Sequence, residues 1–251
     1  MKRFEGKNVV VTGAGSGIGA ACVRRLIAEG ATVLALDVGQ ESVGKIVSEY
    51  GDNSRVEGAT LDVCDRDAAV AFMAAARQRL GAVDGLINCA GIRGVGNVVD
   101  VEPETLRQVL AVNLEGTINM CQAYVRAVKD DSGSRAIVNI SSGAGVLGVP
   151  NRVPYVASKF GVSGITRSMS PELGHYGIRI NAVAPGFTRT PFTAYMMPDK
   201  AAVERIVAMH PIGRIGEPAE IAAVIVFLLT DDASFMTGAI VSVDGGQTAC
   251  I

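Results

Sequence analysis

Residues 11–20 read VTGAGSGIGA, with glycine at every second position: Gly13, Gly15, Gly17 and Gly19. The stretch follows the apolar run Asn8 to Thr12 and opens the amphipathic segment Ile18 to Glu29, so it is a strand-to-helix turn. Two frames fit it. From Gly15 it gives Gly15-x-Gly17-x-x-Ala20, one form of the dinucleotide fingerprint; from Thr12 it gives a longer Thr-Gly-x-x-x-Gly-x-Gly turn. The frames aim different backbone amides at a ligand. A tight turn needs glycine even where nothing binds, so the rest of the chain decides.

Outward from this turn, apolar runs recur at Thr32 to Asp37, Val56 to Asp62, Gly85 to Asn88, Ala136 to Ser141, Arg179 to Ala184 and Ala239 to Val243, making seven strands with the first. Amphipathic segments alternate with them, at Arg66 to Leu80, Glu104 to Val128, Tyr155 to Gly174 and Pro218 to Leu229. This alternation predicts an α/β fold with a doubly wound parallel sheet, a Rossmann fold, covered on both faces. No linker or repeat interrupts it, so residues 1–251 form a single domain. Ligands of such sheets bind beyond the carboxyl ends of the strands. Glycine and polar residues gather there after six of the seven strands.

The bulk numbers narrow the chemistry. Of 251 residues, 49% are hydrophobic and 19% charged, which excludes disorder, and a formal charge of -2 supplies no basic field for nucleic acid or an anionic membrane. The apolar run Val9 to Val11 is too short for a signal peptide, so a cytoplasmic location is expected. Cys22, Cys64, Cys89, Cys121 and Cys250 are scattered without a Cys-x-x-Cys pair and read as reduced, mostly packing residues. With only His175 and His210, there is little material for a histidine triad, and no metal site is expected.

Two clusters carry chemistry. Asp37, twenty residues after Gly17, stands where a carboxylate accepts hydrogen bonds from the ribose hydroxyls of an adenosine and repels a 2′-phosphate. Ser16 and Val38 supply no cation, so NAD is favoured over NADP. In PYVASKFG, Tyr155 and Lys159 stand four apart on one helix face, where an ammonium would lower the phenol's pKa toward neutral. Ser141 and Ser142, after the strand IVNIS, place a hydroxyl at the mouth of the same crevice.

From Gly6 to Gly246 the chain resembles the short-chain dehydrogenase/reductase family. The resemblance rests on Thr12-Gly13-x-x-x-Gly17-x-Gly19, which selects the longer frame and places Gly15, Ser16 and Ile18 in the cofactor turn. It rests also on Asn88-Cys89-Ala90-Gly91, where Cys89 replaces the family's second asparagine, on Asp62-Val63, on Asn113, and on Pro185-Gly186-x-Thr188-x-Thr190. It implies that Asp62 and Val63 meet the adenine, that Asn88, Ala90 and Gly91 lie against the ribose, and that the Pro185 segment closes over the nicotinamide. It further implies that Tyr155 is the acid/base, that Ser142 rather than Ser141 orients the substrate oxygen, that Lys159 binds the ribose, and that Asn113 holds a water linking Lys159 to solvent.

The reaction so implied is reversible hydride transfer between NAD and a secondary alcohol or ketone, by a homotetramer built on the two long helices. Val109, Val112, Phe160, Ile165 and Met169 are its candidate contacts. A substrate lid is expected over residues 187–210, with Phe187, Phe192, Tyr195, Met196 and Met197 apolar. Arg93 and Arg152 are candidate grips for an anionic hydroxy acid of the 3-hydroxybutyrate kind. Competing readings are a 3-oxoacyl-acyl-carrier-protein reductase, which usually prefers NADP and carries a cation in the glycine loop, an NAD-sensing protein without chemistry, and a nucleotide-fold methyltransferase, which leaves Tyr155 and Lys159 without a role.

Overall fold

In the computed structural model, which describes residues 2–51 and 55–249, seven strands form one sheet. They are β1 (Asn8–Thr12), β2 (Thr32–Asp37), β3 (Val56–Thr60), β4 (Gly85–Asn88), β5 (Arg135–Ile140), β6 (Ile178–Pro185) and β7 (Ile240–Val243). Every pair is parallel and the order is β3-β2-β1-β4-β5-β6-β7. The chain winds outward from β1 to β3, then crosses back to place β4 on the other side of β1. Thr12 is thus in register with Leu36 on one flank and Asn88 on the other, and the crevice between β1 and β4 is the point where strand order reverses.

The helices are α1 (Gly17–Ala28), α2 (Gln40–Ser48), α3 (Arg66–Leu80), α4 (Pro103–Leu110), α5 (Gly116–Val128), α6 (Val153–Gly174), α7 (Lys200–Ala208) and α8 (Pro218–Leu229). Because successive strand residues point to opposite faces, β1 sends Val9 and Val11 to a core shared with α1 and α8, and Val10 to a core shared with α3 and α5. β2 divides Val33 and Ala35 from Leu34 and Leu36 in the same way. Each such side chain, fully buried, contributes about 1.5–3 kcal/mol. With both faces covered, the strands can be apolar throughout, as β4, β5 and β6 are buried throughout.

Three expectations need correction. The helix foreseen from Glu104 to Val128 is continuous but not uniform: residues 111–115 form a π-helical turn between α4 and α5, centred on the fully buried Asn113. The third strand ends at Thr60, not Asp62, although the Leu61 N–H still donates to the Asp37 carbonyl at 2.9 Å. Two nine-residue helices, α2 and α7, were not foreseen, since two turns are too short for a periodic signal. Cys22 and Cys121 are buried, Cys89 is half-buried and Cys64 exposed, all as free thiols; Cys250 lies outside the described residues.

Candidate active site

The glycine turn is explained by what crowds it. A Cβ on Gly13, which has φ +63°, would stand 2.8 Å from the Ala90 backbone, and one on Gly19 would stand 2.1 Å from the Gly13 carbonyl oxygen. Thr12 ties the same two segments together: its hydroxyl oxygen accepts from the Cys89 and Ala90 N–H groups, both at 3.1 Å. The longer frame beginning at Thr12 is therefore a joint between the ends of β1 and β4. Gly15 is pressed from a third side, its Cβ position 2.5 Å from Ser42 on α2 and 3.0 Å from the Asp37 carboxylate.

Asp37 closes this loop. Its Oδ2 accepts from the Gly15 N–H at 3.0 Å and its Oδ1 from the Gly39 N–H at 3.1 Å. Among the described residues no cation pairs with it. Ser16, the residue before α1, and Val38, 69% exposed, stand open around it. Val63 is buried, while Asp62 is exposed and receives the Cys64 N–H at 2.9 Å. Asn88 lies inside the sheet and donates through Nδ2 to Asn139 Oδ1 at 2.9 Å and Cys121 Sγ at 3.2 Å, leaving its Oδ1 buried and unpartnered. Half-buried Ile18 and exposed Gly91 complete this side of the crevice.

On the other side, α6 runs under the end of β5. Ser141 and Ser142, alike in sequence, separate here. The Ser141 hydroxyl is buried against α6, bonded to Ser163 at 2.8 Å and to the Lys159 carbonyl at 3.2 Å. The Ser142 hydroxyl accepts from the Ala144 N–H at 3.1 Å and lies beside the Tyr155 phenol. Lys159, only 5% exposed, donates from Nζ to the Ile140 carbonyl at 2.8 Å, with its ammonium 5.8 Å from the Tyr155 ring centre.

The electrostatics depart from the expectation of a phenol lowered by its lysine. Burial pushes the Tyr155 phenol up to about 12, and the opposing pulls come from Ser142 and Arg152. Burial likewise brings Lys159 down to about 8. Loss of hydration outweighs local attraction at both groups.

Both side-chain atoms of Asn113 are engaged with the protein. Its Oδ1 accepts from the Ile92 N–H at 2.7 Å, and its Nδ2 donates to the Ile92 carbonyl at 2.9 Å and to Ser158 Oγ at 3.0 Å. It fixes the chain just after Gly91, where a Cβ would stand 3.6 Å from Lys159 Nζ. The amide thereby clamps the β4 loop.

After β6, Pro185 is buried and Gly186 packs so closely that a Cβ would lie 2.6 Å from Asp244 Cα. The Phe187 N–H donates to His210 Nε2 at 3.2 Å, while His210 Nδ1 meets the Ile206 carbonyl at 2.7 Å, joining this segment to the end of α7. Thr188 is buried, and Thr190 leans on the glycine turn, 3.2 Å from a Cβ on Gly17. Phe192 packs on Tyr155 with ring centres 6.0 Å apart. Tyr195 lies under two guanidinium groups, Arg93 at 4.4 Å and Arg152 at 5.7 Å from its ring centre. Arg152 also donates to Met196 Sδ at 3.5 Å.

A family profile described as enoyl-(acyl carrier protein) reductase matches residues 13–248. The 3-oxoacyl-[acyl-carrier-protein] reductase of Thermotoga maritima is 42% identical over 246 residues, covering 97% of this chain and 98% of that one. The chain belongs to the short-chain dehydrogenase/reductase family. Levodione reductase of Leifsonia aquatica is 39% identical, with 98% and 96% covered. A crystal structure of levodione reductase superposes with a TM-score of 0.94 at 37% identity, over 99% of this chain and all of that one. The 2,5-dichloro-2,5-cyclohexadiene-1,4-diol dehydrogenase of Sphingobium indicum is 38% identical, with 99% and 100% covered. Membership in this dehydrogenase/reductase family makes the chain an oxidoreductase of alcohol and ketone pairs linked to NAD or NADP.

Several residues of this candidate site have no independent signal in the sequence. Ser42 sits on a helix too short to foresee. Ser158 supports Asn113, and its position directly before Lys159 was the one available hint. His210 was set aside as a lone histidine, yet it links two segments around the site. Among the described residues, no helix is long and apolar enough to cross a membrane, and no group of three or more His, Cys, Asp or Glu side chains is placed to hold a metal.

Proposed function

We propose that the chain is an NAD-dependent dehydrogenase/reductase acting on a secondary alcohol, or its ketone, borne on a small ring. The observation that carries this reading is the placing of Ser142 rather than Ser141 beside the Tyr155 phenol, with the Lys159 ammonium below the same ring. Tyr155 takes the hydroxyl proton on oxidation and returns it on reduction, and Ser142 holds the same oxygen in line. The cofactor supplies the hydride acceptor or donor and, when oxidised, a positive ring that favours the phenolate. Lys159 binds the nicotinamide ribose. Asn113, through its clamp on Ile92, keeps the β4 loop and Lys159 in place.

The glycine turn and the unpaired Asp37 suit a dinucleotide with a free ribose diol. Gly13, Gly15, Ser16, Gly17, Ile18 and Gly19 face the pyrophosphate, whose charge is favoured at the start of α1. Asp37 and Val38 meet the adenosine ribose, Asp62 and Val63 the adenine, and Asn88, Ala90 and Gly91 the space between. Pro185, Gly186, Thr188 and Thr190 border the nicotinamide. Residues 187–210 act as a substrate lid, with Phe187, Phe192 and Met196 as its apolar lining. A ring substrate is supported by that lining and by the named substrate of the cyclohexadienediol dehydrogenase relative. The acyl-carrier relative supports a second reading, reduction of a 3-oxoacyl thioester, which would come with NADPH preference. Assembly as a homotetramer through α4, α5 and α6 belongs to the first reading.

Turnover of a cyclohexanol panel with NAD and NADP tests it. NAD should be preferred at least tenfold in kcat/KM, and Tyr155→Phe should lower kcat about 10²–10⁴-fold while NADH binding, read by fluorescence, is retained. Full kcat in the phenylalanine variant would remove Tyr155 from the chemistry. Preference for NADPH with a 3-oxoacyl thioester would establish the second reading.

A further inference from the structure

Ser163 lies one turn beyond Lys159 on α6, buried alongside Ser158, Lys159 and Thr166. A serine or threonine inside a helix ordinarily bonds back to its own helix, and two of these do: Ser158 donates to the Tyr155 carbonyl and Thr166 to the Val162 carbonyl, both at 2.8 Å. Ser163 does not. Its hydroxyl donates outward to the Gly145 carbonyl at 3.1 Å, while the Lys159 carbonyl, its ordinary acceptor four residues back, is met by Ser141 Oγ at 3.2 Å. The two hydroxyl oxygens stand 2.8 Å apart, and each carries one proton. Among the described residues, the buried Gly145 carbonyl has no hydrogen bond besides that from Ser163. The Ser141 proton is therefore the one shared between Ser163 Oγ and the Lys159 carbonyl. Helix and turn exchange hydroxyls across their contact.

The turn in that exchange carries Ser142. It leaves the end of β5 with Ser142 extended, at φ -171° and ψ 163°, and closes on itself: Ser142 Oγ accepts from the Ala144 N–H at 3.1 Å and the Ser142 carbonyl from the Gly145 N–H at 2.8 Å. Both bonds are internal, so they shape the turn without seating it. The seat is at Gly145, where a Cβ would stand 2.2 Å from Ser141 Oγ and 2.6 Å from the Lys159 carbonyl oxygen. No side chain fits between turn and helix there, and the directional contacts across the seam are the Ser163 and Ser141 hydroxyls. The Lys159 ammonium fixes the strand end just before the turn, at the Ile140 carbonyl.

We propose that Ser163 is a positioning residue for the alcohol/ketone reaction: through Gly145 it fixes the turn on α6, and so sets where Ser142 Oγ stands relative to the Tyr155 phenol carried by the same helix. Buried between helix and turn, it meets neither substrate nor cofactor. This deepens the dehydrogenase reading given above and rests on Ser142 holding the substrate oxygen. A misplacement of about 1 Å can cost on the order of 10²-fold in rate, so a partly freed turn is expected to lose about tenfold.

The test is a double-mutant cycle on turnover of cyclohexanol with NAD by the full chain. Ser163→Ala should lower kcat about tenfold and leave NADH binding, read by fluorescence, within about twofold. Ser142→Ala should lower kcat further, and the Ser142→Ala/Ser163→Ala pair should be no slower than Ser142→Ala alone, because the anchor then has no hydroxyl to place. Multiplied losses in the pair, as a general structural role predicts, or full kcat in Ser163→Ala would overturn the proposal. Amide exchange read by mass spectrometry needs no turnover. In Ser163→Ala it should quicken about tenfold over residues 144–147 and stay unchanged in the loop after β4. That loop is held independently, by a short parallel bridge between Gly96 and Arg152 and by Gly94, where a Cβ would stand 2.9 Å from Pro154 and Val109. Unchanged exchange at 144–147, or quickening in both places, would equally sink the inference. An unaltered protein inert toward cyclohexanol counts against the ring-alcohol reading alone, and the exchange result then decides this one.

Discussion

Lys159 holds an ammonium group that is almost wholly buried, and its one hydrogen bond among the described residues is to the Ile140 carbonyl. A lysine brought from 10.5 to about 8 by burial destabilises the folded chain by at most about 3 kcal/mol. The pH window follows from that direction. Below about pH 8 the group is charged in both folded and unfolded chains, and the full cost of burying it is present. Between about 8 and 10.5 the folded chain has released the proton while the unfolded chain keeps it, so the cost declines. Lys159→Met should therefore raise unfolding free energy by about 1–3 kcal/mol at pH 7, with the gain shrinking from pH 8 upward, while turnover is lost. Urea melts at pH 7 and pH 10 check this; a variant less stable at pH 7 would show that the Ile140 bond outweighs the burial. Tyr155 and Lys159 were legible as a pair from their spacing. The direction of the phenol's shift was not, because it depends on how deeply both groups are buried.

At the scale of elements, most of the sheet could be read from apolar runs, since parallel strands covered on both faces are continuously hydrophobic. The β1, β2 and β4 boundaries and those of α3 and α8 match the sequence reading residue for residue. The π turn at 111–115 could not be read that way, because AVNLE keeps helical periodicity and the extra residue appears only in the backbone. Its cause lies elsewhere in the chain: the Asn113 amide must meet both backbone groups of Ile92. Removing it by Asn113→Ala should leave the half-buried N–H and C=O of Ile92 without their partners and cost about 1–3 kcal/mol. Asn113→Asp, which keeps the acceptor but turns a carboxylate oxygen toward the Ile92 carbonyl in a fully buried position, should cost at least as much. Denaturant midpoints measure both, and a loss under 1 kcal/mol for the alanine variant would mean that the turn forms without the clamp.

For the whole molecule, the proposed tetramer has a narrower basis than the apolar content of the two long helices suggested. Val109 is buried within its own chain, Val112 and Met169 pack on the internal core, and Ile165 is half-buried. Of the five positions, Phe160 alone is exposed, at 45%. Sequence periodicity cannot separate a helix side facing its own sheet from one facing a neighbour, as both are apolar. If α6 is the contact, Phe160→Asp should shift the sedimentation profile at micromolar concentration from tetramer toward smaller species. A monomer in the unaltered protein would end the proposal.

The bridge between Gly96 and Arg152 has a consequence for variation in the two loops. Loops around an active site ordinarily diversify one at a time, each tolerating changes that its neighbours do not feel. Here a residue larger than glycine at position 94 would meet Pro154, Val109 and the backbone nitrogen of Tyr155 at once, so a change in the first loop disturbs the second and the start of α6. A side chain at position 94 is therefore accommodated only together with a compensating change at Pro154 or Val109.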